Sequence, residues 1–193
     1  MAQTSGHGEE VVMTTAMLKA LAHPLRRRMT KSFASREFAR AADIAEDLGV
    51  PANSASFHLR VLADAGLIVE APEKARDRRD RVWTAVKGAW NVGSPQHPVE
   101  DEVLGGVLMR TLAEDHHDMV RRVMTWALEY VSGRDTGSHG TFAQRTLRLT
   151  EAEFESLMDK VNVLMNEAEA THDHDDPEGR VWDIHVVAAD DEI

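Results

Sequence analysis

The sequence predicts an α+β chain, mainly helical, divided into two regions. Residues 13–90 read as short helices closed by a pair of strands, and residues 99–193 read as an α-β-α-β module. Three observations carry this. Apolar residues recur at three- and four-residue spacing in stretches that end at Gly or Pro. Two short β-branched runs flank an arginine-rich loop at 73–81. The charge is also split: residues 1–90 hold 14 Lys/Arg against 11 Asp/Glu, a balance of +3, whereas residues 91–193 hold 8 against 22, a balance of −14. An overall charge of −11 would slow capture by a polyanion. Salt screens distant charge beyond about 8–10 Å, however, so local basic clusters govern close contact.

Composition removes several function classes. The 193 residues contain no cysteine, which excludes disulfides, thiolate metal sites and cysteine nucleophiles. No apolar run approaches the roughly 20 residues that span a bilayer, and the first ten residues lack the basic and apolar regions of a signal peptide. A cytoplasmic protein without a membrane partner is expected. No phosphate-binding loop, nucleophile elbow, zinc-protease helix or dinucleotide fingerprint is present, so no catalysis and no cofactor are expected.

Residues 1–12 are polar and expected to be flexible. Met13, Met17, Leu18 and Leu21 mark a first helix, interrupted by His23-Pro24. Leu25, Met29 and Phe33 mark a second, with Arg26, Arg27, Arg28 and Lys31 on its exposed side. Residues 41–48 (AADIAEDL) form a short helix with Ile44 and Leu48 on one face, and Gly49 follows where a helix turns left-handed. Residues 51–62 (PANSASFHLRVL) continue as a helix to Gly66, with Ala55, Leu59 and Leu62 inward. Two short helices joined by a Gly-containing turn make a helix-turn-helix. Strands at 67–69 and 82–86 enclose a basic loop, so the domain is a winged helix-turn-helix over residues 13–90. Residues 91–98, with Gly93 and two prolines, read as a linker. A long helix follows at 99–131, apolar on more than one face. Residues 141–149 alternate in part like a strand. Thr150 and Glu153 form a capping box for another helix, and residues 180–189 read as a final strand in which Trp182, Ile184 and Val186 alternate.

The stretches LKALAHPLRRR (18–28), ADIAEDLGV (42–50) and NSASFHLRVLADAGLI (53–68) resemble the arsenic-repressor (ArsR) family of bacterial winged-helix regulators. The third is the most specific. Residues beyond 100, with the Leu149-Thr150-x-x-Glu153 helix start, resemble C-terminal extensions attached to such domains in actinobacterial-type regulators. The resemblance implies a homodimer that binds a palindromic operator on double-stranded DNA and represses, releasing DNA when a ligand binds.

The second helix of the motif would enter the major groove, where hydrogen-bond patterns distinguish all four base pairs. Its candidate contacts are Ala52, Asn53, Ser54, Ser56, Phe57, His58 and Arg60. Asn53 suits an adenine edge, Ser54 and Ser56 a base or phosphate, and Arg60 a guanine or phosphate. Phe57 is read either as stacking on sugar or thymine methyl or as packing on a neighbouring helix; His58 is read either as a phosphate contact or as a packed residue. In the wing, Arg76, Arg78, Arg79 and Arg81 suit the backbone or minor groove; the competing reading pairs them with Asp77 and Asp80. Arg26, Arg27 and Arg28 are read as DNA contacts or as salt-bridged surface.

Other readings stay open. Met109, Met119, Met124, Trp126, Met158 and Met165 suit either an apolar effector pocket or plain core. A metal-responsive regulator would draw on His97, His116, His117, His139, His172, His174 and neighbouring Asp residues. Asp115-x-His117 begins such a site, but the partner His at the matching spacing is missing, and no metal is assigned. A docking module acting through protein contacts is the alternative from another class.

Overall fold

The computed structural model describes residues 11–87, 90–173 and 176–193. They fall into two compact units, Met1–Met109 with Asp173–Trp182, and Arg110–His172 with Asp183–Ile193.

The first unit opens with β1 (Val11–Val12), α1 (Thr15–Leu21) and α2 (Pro24–Ser32). Thr14 caps α1 by accepting from the Met17 amide. Pro24 starts α2 because its missing N–H lies where a helix has no acceptor for it. β2 (Ala39–Arg40) leads into α3 (Ala41–Leu48), and α4 (Ala52–Asp64) follows after a three-residue turn. Gly49 makes that turn at φ 64°, a backbone conformation that strains any residue carrying Cβ. β3 (Ile68–Glu70) and β4 (Val82–Ala85) form the hairpin, with Ile68 opposite Ala85 and Glu70 opposite Trp83. A single 3-10 turn at Pro72–Lys74 begins the wing. β2 pairs with the other edge of β4, giving the antiparallel order β2-β4-β3.

The core of this unit gathers Met17, Met29, Phe33, Ala39, Ile44, Leu59, Leu62, Ile68 and Trp83, drawing on α1 to α4 and on β2 to β4. Ala55, Leu59 and Leu62, the expected inward face of α4, are all fully buried. Burial of each large side chain stabilises by about 1.5–3 kcal/mol.

Three expectations are corrected here. The flexible tail does not extend to residue 12, because Val11 and Val12 pair in parallel with Trp90 and Asn91 of β5 (Trp90–Asn91). That pairing also takes Asn91 out of the expected linker. The reading of residues 1–10 lies outside the described residues. The long helix, α5 (Glu102–Val131), starts three residues later than expected. The Asp101 carboxylate accepts from the Leu104 amide at 3.0 Å, which caps the helix there. Val99 packs on Gly105, where a Cβ would lie 3.2 Å from its methyls.

In the second unit, α5 continues to Val131 and α6 (Glu151–Thr171) follows. The capping box forms as expected: Thr150 Oγ1 accepts from the Glu153 amide, and Glu153 Oε2 accepts from the Thr150 amide. The strands expected at 141–149 and 180–189 are not formed; both segments lack regular secondary structure. The carboxy-terminal region is therefore two helices with irregular connections rather than α-β-α-β. A strand needs a neighbour to satisfy its backbone, and alternation alone supplies none.

Candidate nucleic-acid interface

α4 carries its polar residues on the side opposite Ala55, Leu59 and Leu62. Asn53, Phe57, Arg60 and Asp64 follow at helical spacing and are all exposed, Phe57 by 55%. Phe57 therefore presents most of its ring to solvent. Ala52 is exposed on the first turn, and Ser54 and Ser56 are half-buried beside the stripe. Asn53 Oδ1 accepts from the Ser54 amide at 2.9 Å, and Arg60 Nε donates to the Ser56 carbonyl at 3.2 Å. Both contacts are local, so the amide NH2 of Asn53 and the rest of the Arg60 guanidinium are left to solvent.

His58 is half-buried. Its ring lies 4.8 Å from that of His23 and 5.3 Å from that of Phe57. Burial, followed by the nearby His23 and Arg26, pushes its pKa below the ordinary histidine value. His23 is itself held in place, because its Nδ1 accepts from the Leu25 amide at the start of α2. The packed reading of His58 is the one this geometry favours.

The wing is anchored by an ion pair that joins residues 40 positions apart. Arg40 Nε lies 3.0 Å from both Asp80 oxygens, and Arg40 Nη2 donates to the Lys74 carbonyl at 3.2 Å. Asp80 also accepts from the Arg76 amide at 2.9 Å. That amide first, and Arg40 after it, hold the Asp80 carboxyl below its usual range. Asp77 accepts from the amides of Arg79 and Asp80. The two wing carboxylates are thus spent on backbone amides and Arg40. Among the described residues, the guanidinium groups of Arg76, Arg78 and Arg79 make no ion pair, and all three residues are exposed. Arg81 differs, since it faces Glu70 at 3.9 Å.

Arg26, Arg27 and Arg28 all reach backbone carbonyls. Arg26 donates to the carbonyls of Ala20 and Lys19, and Arg27 to that of Leu21. Arg28 reaches the Leu48 carbonyl at 3.5 Å. The run therefore covers the carboxyl ends of α1 and α3, where orphan carbonyls and the helix dipole favour cations. The sequence reading missed Arg40, which positions the wing. No local pattern signals it, because its partner Asp80 lies on another element.

The second unit offers less chemistry. His116 stacks on His185 with ring centroids 5.6 Å apart, and His139 lies 3.6 Å from Asp135. Among the described residues, no three His, Asp or Glu side chains are grouped to hold a metal; His174 lies outside them. A cavity of about 460 Å³ is lined by Arg121, Arg122, Thr125, Trp126, Glu129 and Asp135. Of the residues read as a pocket, it takes in Trp126 and none of the methionines. Among the described residues, no helix is long and apolar enough to cross a membrane.

No curated protein matches the chain. Two solved chains of a doubly substituted Lactococcus lactis ZitR are similar to it. The apo form is 15% identical, covers 78% of this chain and 83% of that one, and superposes with a TM-score of 0.33. The other is 16% identical, with coverages of 86% and 83% and a TM-score of 0.29. Residues 21–71 match the family model described as a helix-turn-helix domain. That span runs from the end of α1 to the end of β3, so the amino-terminal unit is a helix-turn-helix domain with a β-hairpin wing.

Proposed function

We propose that the protein is a sequence-specific, DNA-binding transcriptional repressor of the arsenic-repressor type. It would work as a homodimer on a palindromic operator, in the cytoplasm and without catalysis. The observation that carries this is the exposed stripe of Asn53, Phe57 and Arg60 on α4, in the same unit as the exposed wing arginines Arg76, Arg78 and Arg79, which make no ion pair among the described residues. The stripe suits readout of base edges in the major groove, and the wing suits phosphate. In a two-fold dimer, two copies of α4 would lie about 34 Å apart to meet successive major grooves. No effector is assigned.

Selection from random duplex DNA, followed by titration at several salt concentrations, tests the proposal. Arg60→Ala should cost roughly 1–3 kcal/mol on the selected sequence and relax one position of it. Arg78→Ala should weaken all sequences alike and lower the salt slope by about 1. Selection that enriches no sequence, with both variants binding like the parent, would overturn it and favour a protein-docking role.

A further inference from the structure

Among the described residues, Phe57 is the one large apolar side chain of α1 to α4 that is exposed. It sits in the middle of the polar stripe of α4, four residues after Asn53 and three before Arg60. Leu59 and Leu62 of the same helix are fully buried, whereas this ring gives up the stabilisation that burial would bring.

The ring is also braced. Phe57 meets His58 edge to face, with centroids 5.3 Å apart and the rings inclined at 75°. His58 in turn lies 4.8 Å from His23. His23 is fixed at the start of α2, where its Nδ1 accepts from the Leu25 amide at 3.2 Å. Three rings thus run from the start of α2 to the surface of α4, and Phe57 is the outermost. A side chain held in this way loses little freedom when it makes a contact.

The chemistry of a DNA duplex narrows what such a ring can touch. Phosphates are anionic, and the face of a phenyl ring is the negative side of its quadrupole, so the backbone is a poor partner. Base edges in the major groove present donors, acceptors and one apolar group, the 5-methyl of thymine. Asn53 and Arg60 flank Phe57 with hydrogen-bonding groups whose contacts are local. They suit the donors and acceptors of the base edges, and the ring suits the methyl.

We propose that Phe57 is a specificity-determining residue that reads the 5-methyl group of one thymine in each half-site of the operator. This rests on the DNA-binding reading of α4 and adds to it a base that the stripe requires. Helix rise sets where that base lies. At about 1.5 Å per residue, Phe57 is about 6 Å along the axis from Asn53 and about 4.5 Å from Arg60. Base pairs are stacked about 3.4 Å apart, so the thymine lies within about two base pairs of the position that Arg60 reads.

Deoxyuridine tests this, because it lacks only the 5-methyl of thymidine and keeps its hydrogen-bonding groups. Each thymine of the sequence selected from random duplex DNA is replaced in turn, and the full chain is titrated as the parent and as Phe57→Ala. The substituted side chain is exposed, so Phe57→Ala should unfold at the parent's temperature. The parent should lose about fourfold in affinity at one thymine per half-site, the effect of one buried methyl. Phe57→Ala should bind the thymine and deoxyuridine duplexes alike. A parent that binds every deoxyuridine duplex as it binds the thymine duplex overturns the proposal. So does a Phe57→Ala chain that keeps the fourfold difference, or a sensitive thymine well beyond two base pairs from the position that Arg60→Ala relaxes. In each of these outcomes the selected duplex is still bound, and the DNA-binding reading stands. Failure of that reading shows instead as selection that enriches no sequence, which overturns both.

Discussion

α4 and α6 make a useful comparison. Both are amphipathic by sequence, and α6 is the longer, 21 residues against 13. α4 buries Ala55, Leu59 and Leu62 completely within its own unit and turns a polar stripe outward. α6 has the stronger start signal, a complete capping box, and buries no residue. An apolar stripe thus states that a helix needs a neighbour without stating which chain supplies it. The first unit answers the demand locally, through α1, α2, α3 and the hairpin. The second leaves it open.

The sharpest way to break this contrast is to remove equivalent leucines. Leu59→Ala, in the packed unit, should destabilise it by about 2–5 kcal/mol in thermal or urea unfolding. Leu164→Ala should change the stability of an isolated chain by less than about 0.5 kcal/mol. A large loss at Leu164 that depends on protein concentration would show that another copy covers it. Equal, concentration-independent losses would show that both units bury their apolar faces within one chain.

Backbone strain comes next. Gly49→Ala meets no atom within 4 Å, so its cost should be the left-handed backbone alone, roughly 1–2 kcal/mol. The measurement is equilibrium unfolding of the first unit. A neutral result would mean that the turn between α3 and α4 adopts another conformation. In the second unit, Thr150→Ala removes a cap worth about 1 kcal/mol. Its effect should appear as fraying of the first turn of α6 by hydrogen exchange, without change in the first unit.

The smallest expected effect is a pH dependence at His58. Burial lowers its pKa in the folded state, so the folded chain binds this proton less readily than the unfolded chain. Its contribution to stability is complete above the ordinary histidine value of 6.5 and is lost as pH falls through the folded value. Thermal unfolding between pH 8 and 5 should show a decline that His58→Gln flattens. An unchanged profile in His58→Gln would remove His58 as its source. Asp80 and Glu153 act at lower pH with the same sign. Hydrogen bonds depress their carboxyl pKa values, the Arg76 amide first at Asp80 and the Thr150 amide first at Glu153. Acid should therefore loosen the wing and the start of α6 below the usual carboxylate range.

Features that depend on a few neighbouring residues were legible in the sequence. The α3-turn-α4 arrangement followed from Ile44, Gly49 and the spacing of Ala55, Leu59 and Leu62. The capping box of α6 followed from Thr150 and Glu153, three residues apart. The two-residue strands β1, β2 and β5 were not legible, because so short a strand is defined by a partner 40 to 80 positions away. The carbonyl contacts of the arginine run 26–28 were not legible for a similar reason. Its positions on α2 were clear, but the carbonyls it covers belong to the ends of α1 and α3.

The sequence by itself determined which segments are helical, where they stop, and which side of α4 faces inward, since these rest on local spacing, capping and glycine conformation. It also assigned the acidic balance to the second half of the chain. Only the tertiary structure decided how the charges near the wing are used. Asp77 and Asp80 bind backbone amides and Arg40, which leaves Arg76, Arg78 and Arg79 without ion pairs among the described residues. It also decided that the alternating segments 141–149 and 180–189 form no strand among the described residues. Pairing and burial depend on groups far apart in sequence, and local pattern carries no record of their distance.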